Sequence, residues 1–112
     1  MNLTIDRAEG VAIVRVSEPR LLYPLLSDFT SSVTALISAG ERRVLIDLSN
    51  VTYVDSATIG CLMNLHREAA QAGGILKLAG VQKRVETMLT MTGAHDALDV
   101  HPDEASAIRS FS

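Results

Sequence analysis

Short, β-branched apolar runs alternate along this chain with longer stretches whose apolar residues recur at helical spacing. Val11 to Val16, Val44 to Leu48 and Ile75 to Ala79 have the length and composition of buried strands. After the first run, Leu22, Leu25, Leu26, Phe29, Val33, Leu36 and Ile37 predict a helix, with Pro24 in its first turn and Gly40 at its stop. After the second, Ile59, Leu62, Met63, His66, Ala69 and Ala70 predict another, ended by Gly73-Gly74. After the third, Val81, Val85, Met88 and Leu89 predict a third helix, with Gly93 as its left-handed stop. Leu3 to Arg7 alternates ahead of a Glu9-Gly10 turn, which makes a hairpin with the first run. Val51 to Val54 is apolar or β-branched and leads into Asp55-Ser56, and Leu98 to Val100 reads as a last short strand. Pro102-Asp103-Glu104 opens a fourth helix that Ala105, Ile108 and Phe111 continue.

Strands joined through helices pair in parallel, whereas a hairpin is antiparallel. The expected fold is therefore α/β, a mixed sheet of four to five strands with about four helices packed on it. A chain of 112 residues buries about two-thirds of its unfolded surface, enough for one core and too little for two. Residues 1–112 are thus expected to form a single domain. Aromatics are 4% and Trp is absent, so Leu, Ile, Val, Ala and Met must build that core.

A net charge of −3 lacks the basic footprint of a nucleic-acid binder or of a protein drawn to anionic lipid. Cys61 is the single cysteine, which excludes an internal disulfide and a Cys-rich zinc site and suits a reducing cytosol. The start meets a charge at Asp6 and lacks the apolar core of a signal peptide. No apolar stretch approaches the roughly 20 residues of a membrane span. The expected setting is cytoplasmic, with no direct membrane insertion.

The stretch Asp55-Ser56-Ala57-Thr58-Ile59-Gly60 carries the most functional information. An apolar strand runs into a loop that delivers an Asp-Ser pair to a helix start. One reading is capping, since both side chains accept the orphan N–H groups of a first turn. The other is a modification site. A helix N-terminus carries about half a positive charge and free donors, so a phosphate on Ser56 would lie in a favourable field. That phosphate would add roughly 1.5 to 2 negative charges to the surface and leave the core alone.

These residues resemble the STAS domain, and more narrowly the bacterial anti-sigma factor antagonists. Ala72-Gly73-Gly74-Ile75-Leu76-Lys77-Leu78 is similar to that family's Gly-Gly turn before a strand, and Val81 to Gly93 to its third helix and stop. The resemblance covers almost the whole chain and implies the STAS fold. It also implies a non-enzymatic switch without a cofactor. The unmodified antagonist would bind an anti-sigma factor that is a serine kinase with a histidine-kinase-like ATP fold. Phosphorylation of Ser56 would release that partner, and a phosphatase would reset the pair. Asp55 maps to the acidic neighbour, and Ala57, Thr58 and Gly60 to the contact surface.

Two positions depart from the pattern. The family commonly places an acid in the loop after the second strand; here Glu18 is the nearest acid, and Arg20 or Leu21 falls at the expected place. Thr58 replaces a frequent Gly and offers a second hydroxyl. Cys61 and Leu65 lie about 100° or more from the main apolar stripe, counting 100° per residue. They suit either a boundary covered by a neighbouring helix or an apolar patch facing a partner. His66 falls within the stripe and is expected as a hydrogen-bonded core histidine, because the three histidines lack metal-ligand spacing. Ser56 lacks the Gly-x-Ser-x-Gly elbow and a recognisable base, which argues against a hydrolase. The rival binding role is a stand-alone STAS subunit or scaffold of another regulatory or membrane transport complex.

Overall fold

The computed structural model describes residues 1–112. In chain order its elements are β1 (Leu3–Ala8), β2 (Val11–Val16), β3 (Arg20–Leu21), α1 (Leu26–Ser38), β4 (Arg43–Asp47), β5 (Tyr53–Val54), α2 (Ser56–Gln71), β6 (Ile75–Ala79), α3 (Lys83–Met91), β7 (Asp99–His101) and α4 (Glu104–Ser110). Five strands form one mixed sheet in the order β1-β2-β4-β6-β7. Only β1 and β2 are antiparallel; the other neighbours are parallel. Their two-residue link, Glu9-Gly10, has φ of 53° and 78°, the left-handed pair of a twist-matched hairpin turn.

Each parallel step moves the same way across the sheet, from β2 to β4 to β6 to β7, through α1, α2 and α3 in turn. Such crossovers share one hand, so steps in one direction leave all three helices on one face. Phe29 and Val33 of α1, Leu62 and Leu65 of α2 and Leu89 of α3 pack there on Val14, Ile46 and Leu78. The same topology brings the starts of α1, α2 and α3 to the C-terminal edge of the parallel strands. At the opposite edge Gly74 passes so close to Arg42 that a Cβ would lie 2.6 Å from the Arg42 carbonyl oxygen.

The other face of the sheet carries Val11, Ile13, Leu45 and Ala79, and α4 covers it with Ala107 and Phe111. Two cationic side chains fasten this short helix. Arg15 donates from Nε and a terminal nitrogen to both oxygens of Glu104, at 2.7 and 2.9 Å. Lys77 is 8% exposed; its Nζ donates to the Ser110 hydroxyl at 2.7 Å, meets Asp99 at 3.1 Å and lies 4.7 Å from the Phe111 ring centre.

The mixed sheet and four helices follow the sequence reading, and three details differ. The first helix opens with a 3₁₀ turn, Tyr23–Leu25, and becomes α-helical only at Leu26. The last strand lies one residue later than expected. Within the stretch 51–54, to which the sequence reading assigns no strand, Tyr53–Val54 pairs in parallel with β3 as a separate two-stranded sheet. Strand β3 leaves no mark in the sequence, because two residues after a proline carry no periodicity.

The Arg15 guanidinium, with Asp47 alongside, holds the Glu104 carboxyl down to about 2. Burial, with Glu104 beside it, pushes Asp47 up. A carboxyl depressed from its unfolded value near 4.3 stabilises the fold above that pH, and the contribution fades as pH falls towards 2. Glu104→Gln is therefore expected to lower stability at pH 7 by about 1 kcal/mol, an amount discounted for partial exposure. Urea titrations should show the gap to wild type closing between pH 4.5 and 2.

Candidate functional site

The site is built where the loop after β2 meets the start of α2. The Pro19 carbonyl accepts from the N–H groups of Thr52 and Tyr53, at 2.7 and 3.2 Å, and from the Thr52 hydroxyl at 2.9 Å. Three donors on one oxygen hold residues 19–21 against 52–54 and create the small β3–β5 sheet. Leu21 points into the core at 0% exposure, while Arg20 points outward.

Asp55 is the N-cap of α2 in extended conformation, and its Oδ1 accepts from the Thr58 N–H at 2.9 Å. Its Oδ2 accepts from the Tyr23 N–H at 2.9 Å. One carboxylate thus starts α2 and ties the 3₁₀ turn to it. Burial pushes the Asp55 carboxyl up, but the Thr58 hydroxyl and the N–H groups of Tyr23 and Thr58 outweigh this and hold it below the usual range. The Thr58 hydroxyl lies 2.7 Å from the Leu21 carbonyl oxygen and 2.7 Å from Asp55 Oδ1, sharing its proton between them.

Ser56 is exposed at the first helical position. The cap is therefore made by Asp55, and the expectation that Ser56 contributes a capping bond is corrected. With Thr58 N–H taken by Asp55, the N–H groups of Ser56 and Ala57 remain without an intrahelical acceptor, as in any first turn. Ala57 and Gly60 are exposed beside Ser56. Thr58, expected on the contact surface, is 0% exposed, so its hydroxyl supports the loop from inside.

Leu65, read as either a covered boundary or part of a partner-facing patch, is 1% exposed and belongs to the core. Helix α1 covers this side of α2. Cys61 is half-buried with its sulfur 3.0 Å from the Thr30 hydroxyl, and burial pushes its thiol up. The space between the two helices is an open groove of about 540 Å³ whose walls include Tyr23, Thr30, Ala57, Gly60 and Cys61. The covered boundary, rather than a projecting apolar patch, is what the structure contains. Glu18 is half-buried, and its carboxylate accepts from the Asn2 N–H at 2.6 Å, which fastens the start of the chain.

His66 is half-buried, and its enclosed Nδ1 has no hydrogen-bond partner, contrary to the satisfied histidine expected. Nothing in the structure accounts for this orphan atom. Elsewhere, Ser110 Oγ lies 3.2 Å and Asp99 Oδ1 3.1 Å from the same His101 Nε2. A serine-activating histidine needs its carboxylate on the opposite ring nitrogen, so this cluster lacks that geometry.

Sequence reading missed one further feature beside Ser56. Tyr53 in β5 carries two guanidinium groups against its ring, with Arg20 Cζ 5.3 Å and Arg84 Cζ 5.9 Å from the ring centre. Each such contact at an exposed site contributes about 0.5–1 kcal/mol. The pairing of β3 with β5 sets Arg20 opposite Tyr53 in register. No local pattern announces Arg84, which arrives from α3.

The STAS domain family model matches residues 2–107. The chain belongs to the STAS domain family. An anti-sigma F factor antagonist of Paenibacillus polymyxa is 27% identical over 116 residues, covering 96% of this chain and 94% of its own. The fold is shared with an anti-sigma factor antagonist (STAS) domain protein from Planctomyces limnophilus, at TM-score 0.87 and 19% identity over 96% of both chains. It is also shared with SpoIIAA, a Bacillus cell-fate determinant. The unphosphorylated form gives a TM-score of 0.82 at 14% identity, over 98% of this STAS domain and 96% of that chain. The phosphorylated form gives 0.74 at 13% identity, over 99% and 100%.

The division of labour between Asp55 and Ser56 is measurable. Asp55→Ala removes the cap and releases the Tyr23 N–H, and is expected to cost about 1–2 kcal/mol in chemical denaturation. Ser56→Ala is expected to stay within about 0.5 kcal/mol of wild type, as for an exposed position that makes no cap.

Proposed function

We propose that this STAS domain is a phosphorylation-controlled anti-sigma factor antagonist, acting in the cytoplasm by binding rather than by catalysis. In this reading its partner is an anti-sigma factor that is also a serine kinase with a histidine-kinase-like ATP fold. The unmodified domain binds it, phosphorylation of Ser56 separates the two, and a phosphatase restores binding. The observation that carries the reading is the exposed Ser56 hydroxyl beside an aspartate whose carboxylate is already committed to Thr58 and Tyr23. The serine is therefore free to change chemically without unfastening the helix. The relatives named as anti-sigma factor antagonists, and the existence of SpoIIAA in two phosphorylation states, support the same reading.

The energetics give the switch its direction. A phosphate at the first position of α2 meets free N–H groups and the positive end of the helix, which favour it by about 0.3–1 kcal/mol in the unbound protein. Burying the same dianion against a partner costs several kcal/mol unless a cation meets it. Both effects favour separation. Thr58 does not compete as acceptor, because its hydroxyl is buried and hydrogen-bonded.

The test incubates the protein with ATP and each serine-kinase anti-sigma factor encoded in the same genome. One phosphate is expected, mapped to Ser56 by mass spectrometry. Ser56→Ala should remain bound to the kinase, and Ser56→Asp should bind at least tenfold more weakly with an unchanged circular dichroism spectrum. Modification confined to Thr58, or equal affinity of wild type and phosphorylated protein, would overturn the proposal.

A further inference from the structure

We infer that Arg20, Tyr53 and Arg84 form a cationic docking patch beside Ser56 that receives a carboxylate-bearing segment of the anti-sigma partner. The inference rests on the partner-binding role proposed for this surface and adds the chemistry of what must face it.

Three observations carry it. First, both guanidinium groups lie within 6 Å of one aromatic ring, although they come from different elements, β3 and α3. Arg20 and Arg84 are exposed, and neither forms an ion pair within the chain. Arg7 and Arg15 are neutralised by Glu41, Asp6 and Glu104, and the other unpaired arginines, Arg42, Arg43, Arg67 and Arg109, do not share a ring in this way. Second, the carboxylates nearest in sequence do not neutralise them: Asp55 accepts from the N–H groups of Thr58 and Tyr23, Glu18 accepts from the Asn2 N–H, and Glu86 forms no ion pair with Arg84. Third, the protein as a whole is acidic, with a net charge of −3. Two unpaired arginines gathered on one ring are thus a local reversal of sign, and such a reversal orients an approaching acidic surface.

The residue types fit the role. Tyr and Arg dominate the energetic centres of protein interfaces, and a guanidinium presents a planar fork that pairs bidentately with a carboxylate. Contact with the Tyr53 ring biases both forks towards this position before a partner arrives, which reduces the ordering cost of binding. Leu21 beneath is in the core and Pro19 is held by three hydrogen bonds, so β3 is a rigid mount for Arg20. Tyr53 itself is 37% exposed and lies three residues before Ser56, so a partner seated over the serine also covers this patch.

Two measurements decide the matter. In the first, the isotope-labelled protein is titrated with an acetylated hexaglutamate peptide at low ionic strength while the arginine Nε–Hε resonances are followed. Arg20 and Arg84 are expected to shift before Arg42, Arg43, Arg67 and Arg109. Uniform shifts would overturn the patch whatever the outcome at Ser56. In the second, the kinase that modifies Ser56 is titrated with wild type and with the double variant Arg20→Glu, Arg84→Glu. Affinity should fall at least tenfold, with a slower and less salt-dependent association, while the charge-matched double variant Arg42→Glu, Arg43→Glu, at the opposite edge of the sheet, stays near wild type. Unchanged binding with Ser56 still phosphorylated would overturn the patch and leave the switch standing. If phosphorylation of Ser56 alone moves both arginine resonances as far as the peptide does, the patch serves the protein's own phosphate, and the partner assignment is overturned.

Discussion

Parallel pairing of β2, β4 and β6 is the constraint from which the rest of this structure follows. Parallel neighbours cannot be joined by a tight turn, so each step needs a crossover, and each crossover here is a helix. Because the steps run one way across the sheet, the helices gather on one face and their N-termini gather along one edge. That edge is where open α/β sheets place their functional groups. The Asp55-Ser56 pair is thus put at the rim by topology, before any side chain is chosen.

Local chemistry then decides what the rim can do. Asp55 absorbs the structural task, starting α2 and tying down the turn that begins at Tyr23. Thr58 adds a buried bond to the Leu21 carbonyl, which binds the helix start to the loop before it. Ser56 is relieved of any such duty. A rim built this way would keep its shape if that exposed hydroxyl were modified, as the proposed switch requires of its scaffold.

Much of this was legible in the sequence. The hairpin, the three crossover helices and their strands each announce themselves through period and through Gly and Pro punctuation, and the Asp55 to Gly60 motif marks the rim. What escaped was whatever depends on contact between distant segments. The β3–β5 pair is two residues on each side, too short for a period, and it exists because the Pro19 carbonyl gathers three donors. The resemblance set Thr58 on the contact surface and helical angle left Leu65 open between boundary and patch, because neither reveals that the loop and α1 cover them. The stacking of Arg84 on Tyr53 joins residues from separate helix and strand, and one-dimensional pattern cannot bring them together.

The reliance of the second sheet face on α4 has a consequence for how the molecule is made. Seven residues are too few to hold a helix in water on their own, so α4 becomes ordered only by docking. It is also the last element of the fold to be synthesised. Until Phe111 has emerged, Val11, Ile13, Leu45 and Ala79 form a bare apolar surface on an otherwise assembled sheet. A nascent chain stalled short of that point would be a strong substrate for chaperones and prone to association with its own copies. Closure of this face is therefore the step at which a newly made domain becomes safe from its neighbours.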